Sequence, residues 1–407
     1  MRNIKPLDVL VTVVGVSSAL FACGYEGAGA SSSPVTHTAS DPEPASTSGN
    51  GEKEGCSGVE SRWSGDLDVG AVEQSVLPCI EEVGGNLVVS STMWTDLTAL
   101  SQLRVVEGNL LIHQNQALES LDGLEKLRDA LGKLDISGNP VLTDLTALGG
   151  VERVHVVVIG ANESLADIAS FAGDLQFVGP EPQAFVLERL PSLGHLDGLA
   201  ALDGVSSVGG LRVQLLHLDA LSDVEGLTGF SALGLELEIE MIGVPALVEL
   251  GFAAGGELGS LEVSDAPNLT SVAGMGDLLR IRALSLWNGT ALSSFTGFDA
   301  LEVVDERLQI GGCEAGEGSP FDSLAGLGGL REVGLLSIIG NDGLSDLMGL
   351  SARPDLHIDA VQIRDNHSLS NEAALTYATA HSDDDIDVCG NAGGSSCIES
   401  ACAPFPN

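Results

Sequence analysis

The side chains that could do chemistry are seven cysteines, eight histidines and a large excess of carboxylates, 58 Asp and Glu against 17 Lys and Arg. Their spacing offers little to a catalyst. His37, His113, His155, His195, His217, His357, His367 and His381 are scattered. None falls in the His-Glu-x-x-His spacing that sets two zinc ligands on one helix face. No Gly-x-Ser-x-Gly elbow stands between a strand and a helix, and no glycine-rich stretch ends in the Gly-Lys-Ser/Thr that cradles phosphate. The absence of a Cys-x-x-Cys pair argues against a thiolate metal site. Asp383, Asp384, Asp385 and Asp387 are the densest carboxylates. They offer hard oxygen ligands of the kind Ca²⁺ takes, but the Gly and terminal Glu of an EF-hand loop are missing, and the stretch reads as a solvated acidic loop. The expectation is a protein without catalytic residues, metal or cofactor.

The elements that carry these residues come from one repeated pattern. Leu134-x-Ile136, a polar turn Ser137-Gly138-Asn139, then Leu142, Leu145 and Leu148 form one copy. Apolar-x-apolar pairs recur at Leu87/Val89, Leu110/Ile112, Val157/Ile159, Phe185/Leu187, Val213/Leu215, Ile239/Met241, Leu261/Val263, Leu284/Leu286, Leu308/Ile310, Leu336/Ile338 and Val361/Ile363, at intervals of 22 to 28 residues. A fixed period of that size is the mark of a solenoid. Residues two apart put their side chains on one face of a short strand. Leucines spaced by three return to the same interior from the far side of the coil. Gly and Asn in the turn are expected to supply positive φ, and Asn amides to bond the exposed turn backbone. One coil cannot bury its own row of leucines, so coils must stack. The Gly179–Pro182 stretch and the insertion from Gly311 to Pro320 mark less regular coils.

In each strand the middle residue points away from that interior. In order these are Val88, Leu111, Asp135, Val158, Val186, Gln214, Glu240, Glu262, Ser285, Gln309, Ser337 and Gln362. The face is partly apolar in its first half and polar in its second. Glu238, Glu240 and Glu262 are expected to form an acidic patch there, with Trp287 beside it. These four residues are the candidate contacts for a protein or glycan. β-propensity and solubility would account for the same residues without a ligand.

Runs such as Gly108-Asn109-Leu110-Leu111-Ile112 with Leu118, Leu121, Gly123 and Leu124, and Leu284-Ser285-Leu286 with Leu292, Phe295, Gly297 and Phe298, resemble the repeats of the receptor L-domain family. Their Gly-x-Leu-x-Ile strands and short Leu-x-x-Leu-x-Gly-Leu returns are closer to L domains than to leucine-rich repeats with long helices. The resemblance covers about two-thirds of the chain. It implies a β-rich α/β solenoid: a right-handed, leucine-rich-repeat-like horseshoe with one parallel sheet and few short helices. The family hosts unrelated binding roles, so the resemblance implies a fold more than a function.

Outside the repeats, residues 1–22 read as an export signal: Arg2 and Lys5, then the mostly apolar run Val9–Phe21. Leu20-Phe21-Ala22-Cys23 resembles the lipobox of bacterial lipoproteins, which implies lipidation of Cys23 and anchoring through acyl chains. Gly24 in place of Asp implies, by that family's sorting rule, the outer rather than the inner membrane. Cleavage near Ala22 or Ala28 without lipidation would instead give a secreted protein. Residues 23–55 are poor in large apolar side chains and read as a disordered tether with a reach of ~30 Å. Residues 56–83 read as an N-terminal cap, 84–370 as the repeat array, and 371–407 as a cystine-containing C-terminal cap with a short helix over Glu372–His381. If Cys23 is lipidated, six cysteines remain, an even number that fits disulfides in an exported chain. Cys56–Cys79 and Cys389–Cys397 are the expected pairs, with Cys313 and Cys402 left open.

The formal charge of −41 would repel nucleic-acid phosphates and anionic lipid, so direct nucleic-acid binding is excluded as a role. The sequence is best read as a non-catalytic envelope lipoprotein whose stack recognises a protein or glycan. A structural spacer is the alternative, and an enzyme with an unrecognised site in the irregular coils a more remote one. The four Asn-x-Ser/Thr triplets, at Asn162, Asn268, Asn288 and Asn366, read as turn residues rather than glycan acceptors.

Overall fold

The computed structural model describes residues 56, 58–168, 171, 175–202, 204–287, 291–312, 321–350, 353–382 and 385–397. They belong to the second of two units, Glu52–Asn407, the first being Met1–Gly51. Cys23, Cys313, Cys402, Asn288, Asp383 and Asp384 lie outside the described residues.

The apolar-x-apolar pairs become the strands of one long parallel sheet. They are β1 (Leu67–Asp68), β2 (Leu87–Ser90), β3 (Leu110–His113), β4 (Asp129–Ser137), β5 (Arg153–Gly160), β6 (Gln183–Glu188) and β7 (Leu211–Leu216). They continue as β8 (Leu237–Ile242), β9 (Glu257–Ser264), β10 (Arg280–Leu286), β11 (Val303–Ile310), β12 (Glu332–Ile339), β13 (His357–Arg364) and β14 (Ile386–Cys389). Each pairs in parallel with the next. The register keeps equivalent positions opposite one another, as in Leu110↔Leu134 and Ile112↔Ile136. The result is a β-rich stack of coils with a single continuous apolar interior.

That interior is built as the spacing requires. Leu87, Val89, Leu110, Ile112, Leu134 and Ile136 are fully buried from the sheet side. Leu118, Leu142, Leu165, Leu193 and Leu221 are equally buried from the return side. Each such side chain contributes roughly 1.5–3 kcal/mol when removed from water. Phenylalanines fill part of the same interior. Phe171, Phe185 and Phe230 meet with ring centroids 5.8 and 5.6 Å apart, and Phe295 stacks on Phe321 at 4.8 Å.

Two features go beyond the periodic pattern. A narrow second ladder runs ahead of the main one through Arg62–Trp63, Glu82–Val83, Val105–Val106 and the first residues of β4 and β5, continuing to Gln176–Phe177 and Ser206–Ser207. It merges with the main ladder at a register shift between Ala130 and Lys133. Glu249–Gly251 and Ser271–Ala273 form a separate two-stranded sheet. The capping segments also join the stack. Leu67-x-Val69 places β1 against β2, and Ile386-x-Val388 places β14 against β13. The N-terminal segment, which does not follow the repeat when read as sequence, therefore carries a strand in the common register. Helix α1 (Asn371–His381) follows, with the Ser370 hydroxyl accepting from Ala373 N at its start. The disulfides Cys56–Cys79 and Cys389–Cys397 tie the two ends, with Cα–Cα distances of 5.6 and 5.1 Å.

The polar turn divides its labour differently from the expectation. Positive φ sits on the second residue after the strand's last core position: Ser91, Gln114, Gly138, Ala161, Arg189, His217, Gly243, Asp265, Gly340, Asp365 and Gly390. Most of these are not Gly, and a left-handed residue with a Cβ costs roughly 1–2 kcal/mol. The geometry aims most of these amides at the next coil, as in Gln114 N→Ser137 O and Ala161 N→Glu188 O, at 3.1 and 3.0 Å. Asn occupies the following position and forms buried ladders. Asn139 Nδ2 donates to Ile112 O at 3.0 Å, and Asn139 Oδ1 accepts from Asn115 N at 3.0 Å. Asn162 extends this run, and Asn341, Asn366 and Asn391 form a second one. Among the described residues, the intervening coils carry Leu190, Leu218, Val244 and Ala266 there, all buried. Asn162 and Asn366 are fully buried in the ladders, whereas Asn268 is exposed and donates to Pro245 O.

Replacing Asn139 by Ala leaves the Asn115 amide without the acceptor it has in the ladder and removes the side-chain bond to the Ile112 carbonyl. It should cost roughly 2–4 kcal/mol in urea unfolding. Asn268→Ala, at the surface, should cost less than about 0.5 kcal/mol.

Candidate recognition surface on the outer face of the sheet

Alternation along each strand leaves every second side chain on the face opposite the core. In parallel register these residues form columns across the coils. Gln214, Glu240 and Glu262 are consecutive neighbours in one column, and Arg212, Glu238 and Ser260 in the next.

Glu238, Glu240, Glu262 and Trp287 are brought together, and all four are half-buried. Arginines compensate the carboxylates. Glu238 is held by two: Arg212 Nη2 to its Oε2 at 2.8 Å, and Arg282 Nη2 to its Oε1 at 2.5 Å. Arg282 reaches across from β10 at a register irregularity between Ile281 and Ala283. Such an irregularity re-aims a side chain. Gln214 Nε2 donates to Glu240 Oε2 at 2.6 Å, and Trp287 Nε1 donates to Glu262 Oε1 at 3.2 Å. Arg307, one strand beyond β10, lowers the cost of a charged Glu262 through space. The surface is thus a mixed network of carboxylates, guanidiniums, an amide and an indole, rather than an acidic patch. Burial, and then the neighbouring Glu240 carboxylate, hold the Glu262 carboxyl above its usual range.

A second cluster lies on β3 and β4. Asp135 is buried and sits between three groups. Lys133 Nζ is 2.5 Å from its Oδ2, His113 Nε2 is 3.2 Å from its Oδ1, and the Ser137 hydroxyl donates to it. Burial would raise its pKa, but the bonds from His113, Lys133 and Ser137 outweigh that and hold it well below the usual carboxylate range. The carboxylate, not the imidazole, occupies the centre. His113 is therefore not placed to take a proton from Ser137, and the arrangement has the geometry of a structural ion cluster. The signal for it was in the sequence: Lys133, Asp135 and Ser137 alternate on one strand face, and His113 stands opposite Ser137.

The remaining predicted residues are placed as follows. Asp387 accepts from Arg364 Nε at 2.6 Å, so it is occupied by a guanidinium. No group of three or more His, Cys, Asp or Glu among the described residues could hold a metal ion. No helix among the described residues is long and apolar enough to cross a membrane. His155 lies against Pro180 O at 2.7 Å and His367 against Asp342 at 2.6 Å, far apart in the chain. No protein-family model matches the chain, and no curated protein matches it.

The two carboxyls give opposite pH signatures. Asp135 has a lowered folded pKa, so its contribution is complete above the unfolded value of 3.8 and is lost as pH falls through the folded value. Asp135→Asn should destabilise by roughly 2–3 kcal/mol at pH 7, with the difference shrinking in strong acid. Glu262 has a raised folded pKa, so the native state gains protons relative to the unfolded chain. Its stability contribution is present below 4.5 and lost as pH rises through the folded value. Glu262→Gln keeps an acceptor for Trp287 and should melt higher than the parent at pH 7, with the gain vanishing below 4.5. Thermal melts across pH check both.

Proposed function

We propose that this protein is a non-catalytic cell-envelope lipoprotein, held by acyl chains on Cys23, whose stack recognises a protein or glycan on the outer face of its sheet. The reading takes the fold to be a right-handed, receptor L-domain-like solenoid. Its main support is the Glu238–Glu240–Glu262–Trp287 network. Charged and amide groups there are half-buried on an open sheet face, held by one another, with an indole among them. A face serving solubility alone would carry its carboxylates extended into water. Aromatic and Arg side chains beside fixed polar groups are the composition of binding hot spots. The extended register of the sheet supplies the repeated surface that solenoids use for binding.

Glu240→Lys combined with Glu262→Lys would place two cations beside Arg212, Arg282 and Arg307. Pull-down from envelope fractions should lose the partners that the parent retains, with the melting temperature checked to confirm folding. An unchanged partner set, or no saturable partner for either protein, favours the spacer role. Mass spectrometry of the mature N-terminus from membrane fractions should show an acylated Cys23. A free N-terminus at another residue removes the anchor from the proposal.

A further inference from the structure

The two ends of the stack are closed to different degrees. At the N-terminal end the first core pair is covered: Leu67 is 0% and Val69 2% exposed. At the C-terminal end the last pair, Ile386 and Val388 on β14, is only half-buried. The same positions one coil earlier, Val361 and Ile363, are 0% exposed. The last apolar slice lacks part of the cover that earlier slices receive from the coil that follows.

The backbone is open on the same side. Val361 N donates to Asp385 O at 3.0 Å, and Asp365 N to Cys389 O at 3.1 Å, so Asp385, Asp387 and Cys389 turn their backbone groups toward β13. Alternation turns the N–H and C=O of Ile386 and Val388 the other way. In earlier coils the core residues direct these groups at the next coil, as Leu87 N does at Asn109 O, 2.8 Å away. Among the described residues no strand pairs with β14 on that side. The cystine turn bonds within itself instead, Gly390 N donating to Ser395 O at 2.7 Å beyond the strand's end. An unpaired strand edge is a template for an added strand.

Charge selects the occupant. In the sequence Asp383, Asp384 and Asp385 lead directly into β14, and Asp387 lies within it. Arg364, the one Arg or Lys on β13 and β14, bonds Asp387, whereas Asp385 is exposed. A second copy would bring another such acidic run to the edge, within a chain whose formal charge is already −41.

We infer that the β14 edge takes up one extended segment of another protein, aliphatic at alternate positions and basic between them. Its backbone pairs with Ile386 and Val388, and its aliphatic side chains complete the last slice. Its basic side chains stand on the outer face beside Asp385 and Asp387, where cross-strand pairs of opposite charge are favourable. Main-chain bonds supply the affinity and alternate side chains the selectivity. This edge is independent of the role proposed for the sheet's outer face.

Titration calorimetry of the full chain with short capped peptides tests it. A peptide of alternating Val and Lys should bind one to one, and at least about tenfold more tightly than one of alternating Val and Glu. N-methylation of one alternate set of its amides should abolish binding, and of the other set should not, because only one set faces the edge. Val388→Pro removes an outward N–H without removing a bond to β13 and should abolish binding. Asp385→Asn should weaken the Lys peptide about two- to fivefold. In the unaltered chain, hydrogen exchange at Ile386 and Val388 should slow when the Lys peptide is added, which locates the contact whether or not Val388→Pro folds. Equal binding of the Lys and Glu peptides, equal effects of the two methylation patterns, or unchanged exchange at β14 overturns the inference. So does a full chain that binds no Lys peptide, including the case where a chain ending at Cys397 does bind, since the protein's own tail then holds the edge. A dimer in sedimentation that Val388→Pro dissociates gives the edge to a second copy and overturns it as well.

Discussion

A coil of this chain cannot bury its own leucines, and everything else follows from that constraint. Two apolar side chains on a short strand and a few more on the return leave one apolar slice, open above and below. Only another slice of the same outline covers it. Parallel pairing enforces the match, because it holds Leu134 over Leu110 and Ile136 over Ile112. The backbone ladder and the apolar seam are thus one constraint seen from two sides. Around Phe185, aromatic rings join the leucines in filling the interior.

The same constraint shapes the polar parts. Chain leaving a strand must turn sharply while still pairing with the next coil. It does so through a residue at positive φ whose amide reaches the neighbour, even when that residue is Gln114, Arg189 or His217. The following position then points inward. Asn there bonds the backbone of the preceding coil and the Asn side chain of the following one, and elsewhere an apolar side chain packs instead. Both solutions occur in this chain, in separate blocks, so the stack changes its internal chemistry along its length while its apolar-x-apolar positions stay paired.

On the outer face the parallel register acts on charge. It aligns like positions in columns, so Glu240 and Glu262 stand side by side, a repulsive arrangement left alone. The arginines on β7, β10 and β11, the Gln214 amide and the Trp287 indole answer it. This compensation was hard to read from sequence because it runs across strands. Arg282 bonds Glu238 over a separation of 44 residues, through a register irregularity that no period announces. The strands, the returns and both described disulfides were legible, because each depends on spacing within one or two coils. The strand at Leu67 was missed because only one turn of pattern supports it.

Hydrogen exchange followed by mass spectrometry, strand by strand, tests the common interior most directly. Strand amides from β2 to β13 should be protected in every coil, recurring with the repeat, and fraying should begin at the ends. Protection confined to one block of coils, with neighbouring strands exchanging as freely as turns, would contradict a single seam running through the stack.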